Sequence, residues 1–435
     1  MKRDLIVIGG GPGGLMAART AVEDGLKVLL VERKRNITEI NRACTRSFYT
    51  HLLSPAPGVD SEMGQPYHDG YIEPVSVEIG PEKTRFHFAV PGFSIDYAGP
   101  LRPYLNWVSI SPGGHQILGY KPNDRPWGFY FDKEAFATQL LASAEKAGVE
   151  VWPETTGIAA ENTRDGVRVQ VRKKSGEETL EARAAIAADG LESRIVESLG
   201  INQMRQGLGS VQFAFVHYVM EGIETGLPES SWLTWSIPSL NPFSFPGIGA
   251  ACINMWADNM NTLGTLTVGK LSPETVLDKF MQHPRWSAMF RHARIVKKEA
   301  MGMSGTMLGP VKEPVTGNVV IVGDAGAPVE SWIQGAVASG YMAAKAVKKE
   351  LGGQKGYPEY AAWWHKAFYF NNPDYLKMVG MGFSRPLSRL CTDEDMDFLY
   401  SLFQGRLGIP EMMVARNLRL IQASRPELYE KLTRS

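Results

Sequence analysis

Residues 4–32 constrain what this chain can fold into more than any other stretch. Asp4-Leu-Ile-Val-Ile-Gly9 is an apolar strand that runs straight into the turn Gly9-Gly-Gly11-Pro-Gly-Gly14. A helical segment, Leu15 to Asp24, follows, then Gly25, then a second apolar strand, Lys27 to Val31, ending at Glu32. This is a βαβ unit with G-x-G-x-x-G at Gly9, Gly11 and Gly14. Gly9 permits the tight turn, Gly11 lets the backbone approach a pyrophosphate, and Gly14 lets helix and strand pack closely. The helix N-terminus offers unpaired N–H groups and a positive dipole end to phosphates. Glu32, with Arg33 beside it, stands where a carboxylate can accept both hydroxyls of an adenosine ribose. Strand, turn, helix, strand and acid at this spacing define a dinucleotide site rather than a merely structural turn.

The chain has 435 residues, enough for two or three domains around a large core. Its 46 basic and 46 acidic residues cancel, which gives no reason to expect a nucleic-acid-binding surface. Cys44, Cys252 and Cys391 form no CxxC pair and no disulfide framework, so a reducing cytoplasm is the expected compartment. No histidines show HxxxH or HxH spacing, so no metal is expected, and neither G-x-S-x-G nor a P-loop occurs. The glycine turn interrupts the basic-then-apolar N-terminus early, which reads as a strand rather than a signal peptide. The uncharged run Ser230 to Ala257 contains Pro238, Pro242 and Pro246, which a spanning helix tolerates poorly. Short strands forming the walls of an apolar pocket fit it better. No transmembrane segment is expected, and peripheral membrane contact is left open.

Residues 55–127 are rich in Gly, Pro and aromatics, with short strands such as Arg85 to Val90. Phe131 to Ala147 reads as a helix with Phe136, Leu140 and Leu141 on its apolar face. Val149 to Trp152 reads as a parallel strand, and Val167 to Arg172 with Glu178 to Ala182 as a meander. Ala184 to Ala188 is a short buried strand that delivers Asp189-Gly190. Residues 205–300 are β-rich and aromatic. Asn318 to Val322 is another buried strand, ending in Gly323-Asp324 ahead of a long helix from about Ser331 to Leu351. Residues 357–435 look helical. The expected class is α/β. A Rossmann-type nucleotide domain is assembled from 1–50, 128–200 and 300–352. A β-rich substrate domain from 51–127 and 201–299 is interleaved with it, and 353–435 form a C-terminal helical segment. The strands ending at Gly9, Asp189 and Asp324 would point at one crevice, where open α/β sheets bind ligands.

Three motifs therefore stand together: Gly9-x-Gly11-x-x-Gly14, Asp189-Gly190-x-x-Ser193-Arg194 and Gly323-Asp324-Ala325. They resemble the FAD-dependent oxidoreductases of the aromatic-hydroxylase fold, and within that group the chain is most similar to the geranylgeranyl reductase family. The resemblance covers about residues 1–350 and implies FAD. A strand-end Asp324 can accept from a ribitol hydroxyl. N–H groups around Gln334, Gly335 and Ala336 could face the pyrimidine edge of the flavin, where a positive dipole end stabilises reduced anionic flavin. The alternative for Gly323-Asp324 is a plain helix cap. In Asn41-Arg42-Ala43-Cys44, the resemblance puts Arg42 against the FAD phosphates and Cys44 near the flavin–substrate boundary, unless Cys44 is only a buried small hydrophobe. Lys133 stands where relatives carry Arg and keeps the charge without the planar fork.

Leu233-Thr-Trp235-Ser-Ile237-Pro238 resembles the Tyr-x-Trp-x-Phe-Pro of these reductases and the Trp-x-Trp-x-Ile-Pro of flavin-dependent halogenases, with Leu233 replacing the first aromatic. A halogenase also needs a lysine to hold hypohalous acid, and none lies between Arg35 and Glu82. Trp235 and Trp332 are expected to line an apolar chamber on the reactive side of the flavin; the alternative for Trp235 is an ordinary β core. The resemblance implies reduction of carbon–carbon double bonds in a hydrophobic, isoprenoid-like substrate by hydride transfer from reduced flavin. Cys44, Tyr49 and His51 are the candidate proton donors. An FAD-dependent monooxygenase is the alternative, and a flavoprotein that only carries a ligand or senses redox state is a third reading. No second strand–GxGxxG–helix unit occurs, so electrons would come from a docked NAD(P)H or an electron-carrier protein.

Overall fold

The computed structural model describes residues 3–49, 75–120, 126–242, 250–255, 259–328, 330–371, 387–408 and 410–433. The first strand, Arg3–Ile8, is buried throughout its last four residues. A continuous apolar run is what a strand covered on both faces requires. Val28–Val31 and then Glu150–Trp152 run parallel on one side of it, and Gly176–Ala187 runs parallel on the other. Val319–Ile321 pairs parallel with the end of Gly176–Ala187. The register is level, with Ile8 opposite Val31 and Ala187, and Ala187 opposite Ile321. Gly9, Glu32, Asp189 and Gly323-Asp324 therefore leave adjacent strands at the same C-terminal edge.

The second strand of the expected meander and the short strand expected before Asp189 are one strand. Gly176–Ala187 pairs antiparallel with Gly166–Lys173 through its first half and parallel with Arg3–Ile8 through its second. Its burial changes with the partner: residues 176–179 are exposed, 180–183 alternate and 184–187 are buried. That change of pattern is why two elements are legible where there is one. Helix Lys133–Ala147 begins at Asp132, whose Oδ1 accepts from the N–H groups of Glu134 and Ala135 at 2.9 and 3.1 Å. It ends at Gly148, in the left-handed region that favours glycine. Phe136 and Leu140 are buried.

A second sheet has seven strands, in the spatial order Arg294–Leu308, Gly207–Glu221, Met260–Val268, Ala250–Asn254, Ser231–Trp235, Asn106–Ile110 and Gln116–Tyr120. Its first strand runs through residue 300, past the expected return to the nucleotide domain. Successive side chains point to opposite faces. One face carries Tyr218, Leu233, Trp235 and Leu263 against Leu277 and Phe280 of helix Pro273–Gln282. The opposite face carries Val219, Trp232 and Ile253, which join the core of the nucleotide domain together with Phe48 and Tyr104. Helix Asp393–Leu402 packs Met396, Leu399 and Tyr400 against Ile117 of the edge strand. Among the described residues, no helix is long and apolar enough to cross a membrane.

Candidate functional site

The three glycines of the first turn answer to different demands. Gly9 has φ +106°, and a Cβ there would lie 2.2 Å from the Ala188 carbonyl oxygen. A Cβ at Gly14 would lie 1.9 Å from the Gly9 carbonyl oxygen. These two glycines are required by the protein itself. Gly11 has an ordinary φ of −74° and nothing within 4 Å of a Cβ position. The open cradle beside Gly11 is therefore left for a ligand to fill. Helix Pro12–Glu23 starts there with proline in its first turn and no side-chain cap, so its first N–H groups are unspent.

Glu32 is only 6% exposed. Its Oε2 accepts from the Gly10 N–H at 2.7 Å and its Oε1 from the Lys34 N–H at 2.9 Å. These bonds fix the carboxylate against the turn and leave each oxygen a further lone pair. Arg33 is exposed on the next residue. Asp324 Oδ1 accepts from the N–H and the hydroxyl of Ser331, at 2.7 and 2.8 Å. Its Oδ2 makes no hydrogen bond among the described residues, and Gly323 holds the turn at φ +63°. Helix Trp332–Leu351 begins directly behind, also without a side-chain cap. Ala336 of that helix approaches both glycine turns: its carbonyl oxygen would lie 2.8 Å from a Cβ at Gly13, and its Cβ 3.3 Å from one at Gly323. Gln334 and Gly335 are buried, and neither polar atom of the Gln334 side chain has a partner among the described residues. Two uncapped helix starts, an open glycine cradle and a pinned acid fit a dinucleotide whose phosphates lie between the helices.

Asp189 is held within its own turn. Its Oδ1 accepts from Ser193 Oγ at 2.6 Å, and its Oδ2 from the N–H groups of Arg194 and Ile195 at 2.9 and 3.4 Å. The carboxylate braces the start of the short helix Arg194–Ser198.

Cys44 is half-buried, and its Sγ accepts from the Arg46 N–H and from Lys133 Nζ, both at 3.5 Å. Lys133 thus bridges the helix start and the Cys44 turn. Arg42 is exposed nearby. Glu330, which the sequence reading missed, follows the Asp324 turn and keeps accessible surface. Burial and the Asp324 charge push its carboxyl up to about 7, against the pull of Lys133 and Arg42. Trp332 is a bulky residue at φ +61°, a conformation that costs on the order of 1–3 kcal/mol and persists only where surroundings enforce it. It opens the helix at the turn, partly buried against the core. Tyr49 ends the strand Ser47–Tyr49, opposite Gly128, and its side chain lies outside the described residues. His51 lies outside them entirely.

Trp235 needs a correction. It is 1% exposed, with its ring 5.0 Å from Phe280 and 5.9 Å from Trp286. It faces helix Pro273–Gln282, on the side of the sheet away from Cys44. Strand alternation gives the other side to Trp232. There Tyr104, Trp107, Trp127 and Trp232 form an aromatic wall with centroid spacings of 4.9 to 5.7 Å. Part of the uncharged run, 243–249 and 256–257, lies outside the described residues. Among the described residues no group of His, Cys, Asp and Glu could hold a metal ion.

Comparison with known proteins agrees with this geometry. A family model described as FAD dependent oxidoreductase matches residues 4–37, and one described as FAD binding domain matches residues 130–241. A digeranylgeranylglycerophospholipid reductase from Methanocaldococcus jannaschii is 24% identical over 402 residues, covering 90% of this chain and 88% of that protein. The crystal structure of a geranylgeranyl bacteriochlorophyll reductase-like protein from Thermoplasma acidophilum aligns with a TM-score of 0.64 at 18% identity, covering 99% and 98% of the two chains. The p-nitrophenol 4-monooxygenase of Pseudomonas putida shares the fold, with a TM-score of 0.62 at 13% identity over 98% of each chain. Fold and motifs together define an FAD-dependent oxidoreductase of the aromatic-hydroxylase type. Within that class the chain is similar, along most of its length, to digeranylgeranylglycerophospholipid reductases.

The cofactor site makes a direct prediction. Glu32→Ala removes an anionic acceptor and should weaken FAD binding by about 1.5–3 kcal/mol. Asp324→Ala should act similarly from the other end. Flavin fluorescence titration of the apoprotein measures both. Wild-type affinity in the two variants would contradict the strand-end assignment.

Proposed function

We propose that this enzyme reduces carbon–carbon double bonds of an apolar, isoprenoid-like substrate. The observation that carries the reading is the similarity to a digeranylgeranylglycerophospholipid reductase along nine-tenths of the chain. The aromatic wall at Trp107, Trp127 and Trp232 supports it, because flat apolar surfaces suit unsaturated chains. When bound and reduced, FAD supplies a hydride. The chain's own residues do the rest. Gly11 and the two helix starts hold the phosphates, Glu32 the ribose, and Asp324 the ribityl side. Lys133 holds the Cys44 thiol at the cleft. Glu330 titrates near neutrality and can keep a proton there for the carbon that does not receive hydride. Electrons reach the cleft from NAD(P)H or an electron-carrier protein, and the polypeptide works in the cytoplasm or at a membrane surface.

The test is product analysis under argon. Dithionite-reduced holoenzyme is mixed with prenyl-chain alkenes of graded length, and saturated products are sought by mass spectrometry. Cys44→Ala and Glu330→Gln should slow their formation. Product that carries a new hydroxyl, formed only after oxygen is admitted, would establish a monooxygenase instead.

A further inference from the structure

A buried charge cluster stands behind Cys44, and none of the flavin motifs uses it. Glu299 and His217 are cross-strand partners, 5% and 2% exposed. Glu299 Oε1 accepts from Arg46 Nη2 at 2.5 Å and lies 2.8 Å from Lys297 Nζ. Its Oε2 faces His217 Nδ1 at 3.3 Å. A carboxylate can only accept, so Nδ1 carries the proton and Nε2 keeps a lone pair, buried and without a partner among the described residues. Burial pushes the imidazole's pKa down. Burial also opposes charge on Glu299, but hydrogen bonds from His217 and Lys297 and the Arg46 charge hold its pKa down to about 2. One carboxylate thus serves two cations and a neutral histidine.

Arg46 is itself strained. Its φ is +52°, in the left-handed region that a side chain avoids. Three contacts hold it there. Its N–H donates to Cys44 Sγ, its carbonyl accepts from the Phe131 N–H at 3.0 Å, and its guanidinium is tied to Glu299. The first lies within the turn, and the second comes from strand Gly128–Phe131, which pairs with Ser47–Tyr49 and Leu101–Tyr104 in a three-stranded sheet. Glu299 reaches over from the seven-stranded sheet, next to Ala300, whose carbonyl accepts from the Ala43 N–H at 3.2 Å. The Cys44 turn therefore hangs between this three-stranded sheet and the seven-stranded sheet, and Glu299 is its side-chain anchor on the far side.

We infer that Glu299 is a positioning residue: through Arg46 it fixes the Cys44 turn against Lys133 at the cleft. Its effect on turnover rests on the function proposed above; its effect on the turn does not. Cys252 and Cys391 are buried, so in the folded holoenzyme a thiol reagent reads Cys44. The experiment times maleimide labelling of the holoenzyme, with Cys44→Ala as the blank. Glu299→Gln removes the charge and keeps the shape. Labelling should speed up by about tenfold or more as the turn opens locally, kcat should fall, and KM and FAD retention should stay within about twofold. Lys297→Met leaves the Arg46–Glu299 pair in place and should label at the wild-type rate. If Glu299→Gln does not fold, Glu299→Asp, which keeps the charge but draws the carboxylate back from Arg46 by one methylene, carries the same expectation. Wild-type labelling in the folded Glu299 variant would overturn the inference. Faster labelling in an enzyme that reduces no alkene would sustain the anchoring and remove the function instead.

Discussion

A Gly11→Ala variant should fold with unchanged apoprotein stability, within about 0.5 kcal/mol, because it is a surface change free of strain. The same variant should lose FAD affinity by more than about 100-fold, roughly 2.8 kcal/mol. The φ of −74° suits alanine, and no protein atom lies within 4 Å of the new Cβ. Only a ligand pressed against the backbone can object to it. Gly14→Ala is the opposite case. Its Cβ would meet the Gly9 carbonyl oxygen at 1.9 Å, backbone that cannot swing away. Overpacking of this kind costs about 3 kcal/mol or more before any ligand is considered. Thermal melts of the two apoproteins, followed by flavin titration, separate the roles. Normal FAD binding by the Gly11→Ala variant would refute the cradle.

Trp235→Ala should destabilise the protein by about 3–5 kcal/mol, the usual cost of deleting a fully buried aromatic. The ring packs against Phe280 and Trp286, so the loss is one of core contacts. The folded fraction should keep the wild-type KM. Trp107→Ala, on the opposite face of the sheet and half-buried, should cost less stability and raise KM severalfold. Denaturant melts and steady-state kinetics on both variants test the assignment of faces. A normal KM for Trp107→Ala beside a raised one for Trp235→Ala would reverse it.

The nucleotide half is legible in the sequence because its signals are local. Gly9 to Glu32 contains a strand end, a turn, a helix start and an acid within one βαβ unit, and each has its own physical reason. Helix Lys133–Ala147 is legible for the same cause, with its cap at Asp132 and its stop at Gly148. What escapes is long-range. Arg46 and Glu299 are separated by 253 positions and meet only because two sheets are juxtaposed. Trp235 illustrates a finer limit. An aromatic in an uncharged strand is visible, but which face it takes depends on register against neighbouring strands. Asp189 carries a motif, yet both its oxygens serve a five-residue helix whose cap, Ser193, stands in plain view. Glu330 gives no signal beyond being a lone acid near an apolar turn; the Lys133 and Arg42 charges that act on it come from segments distant in sequence.

If the enzyme is a reductase, an alkene takes electrons from its FAD without oxygen. Stopped-flow mixing of dithionite-reduced holoenzyme with a prenyl alkene under argon tests it directly. The account predicts that the oxidised-flavin absorbance returns in step with saturated product, one reduced bond per flavin. Absorbance that stays bleached under argon with every alkene tried, and returns only when oxygen is admitted, would contradict it.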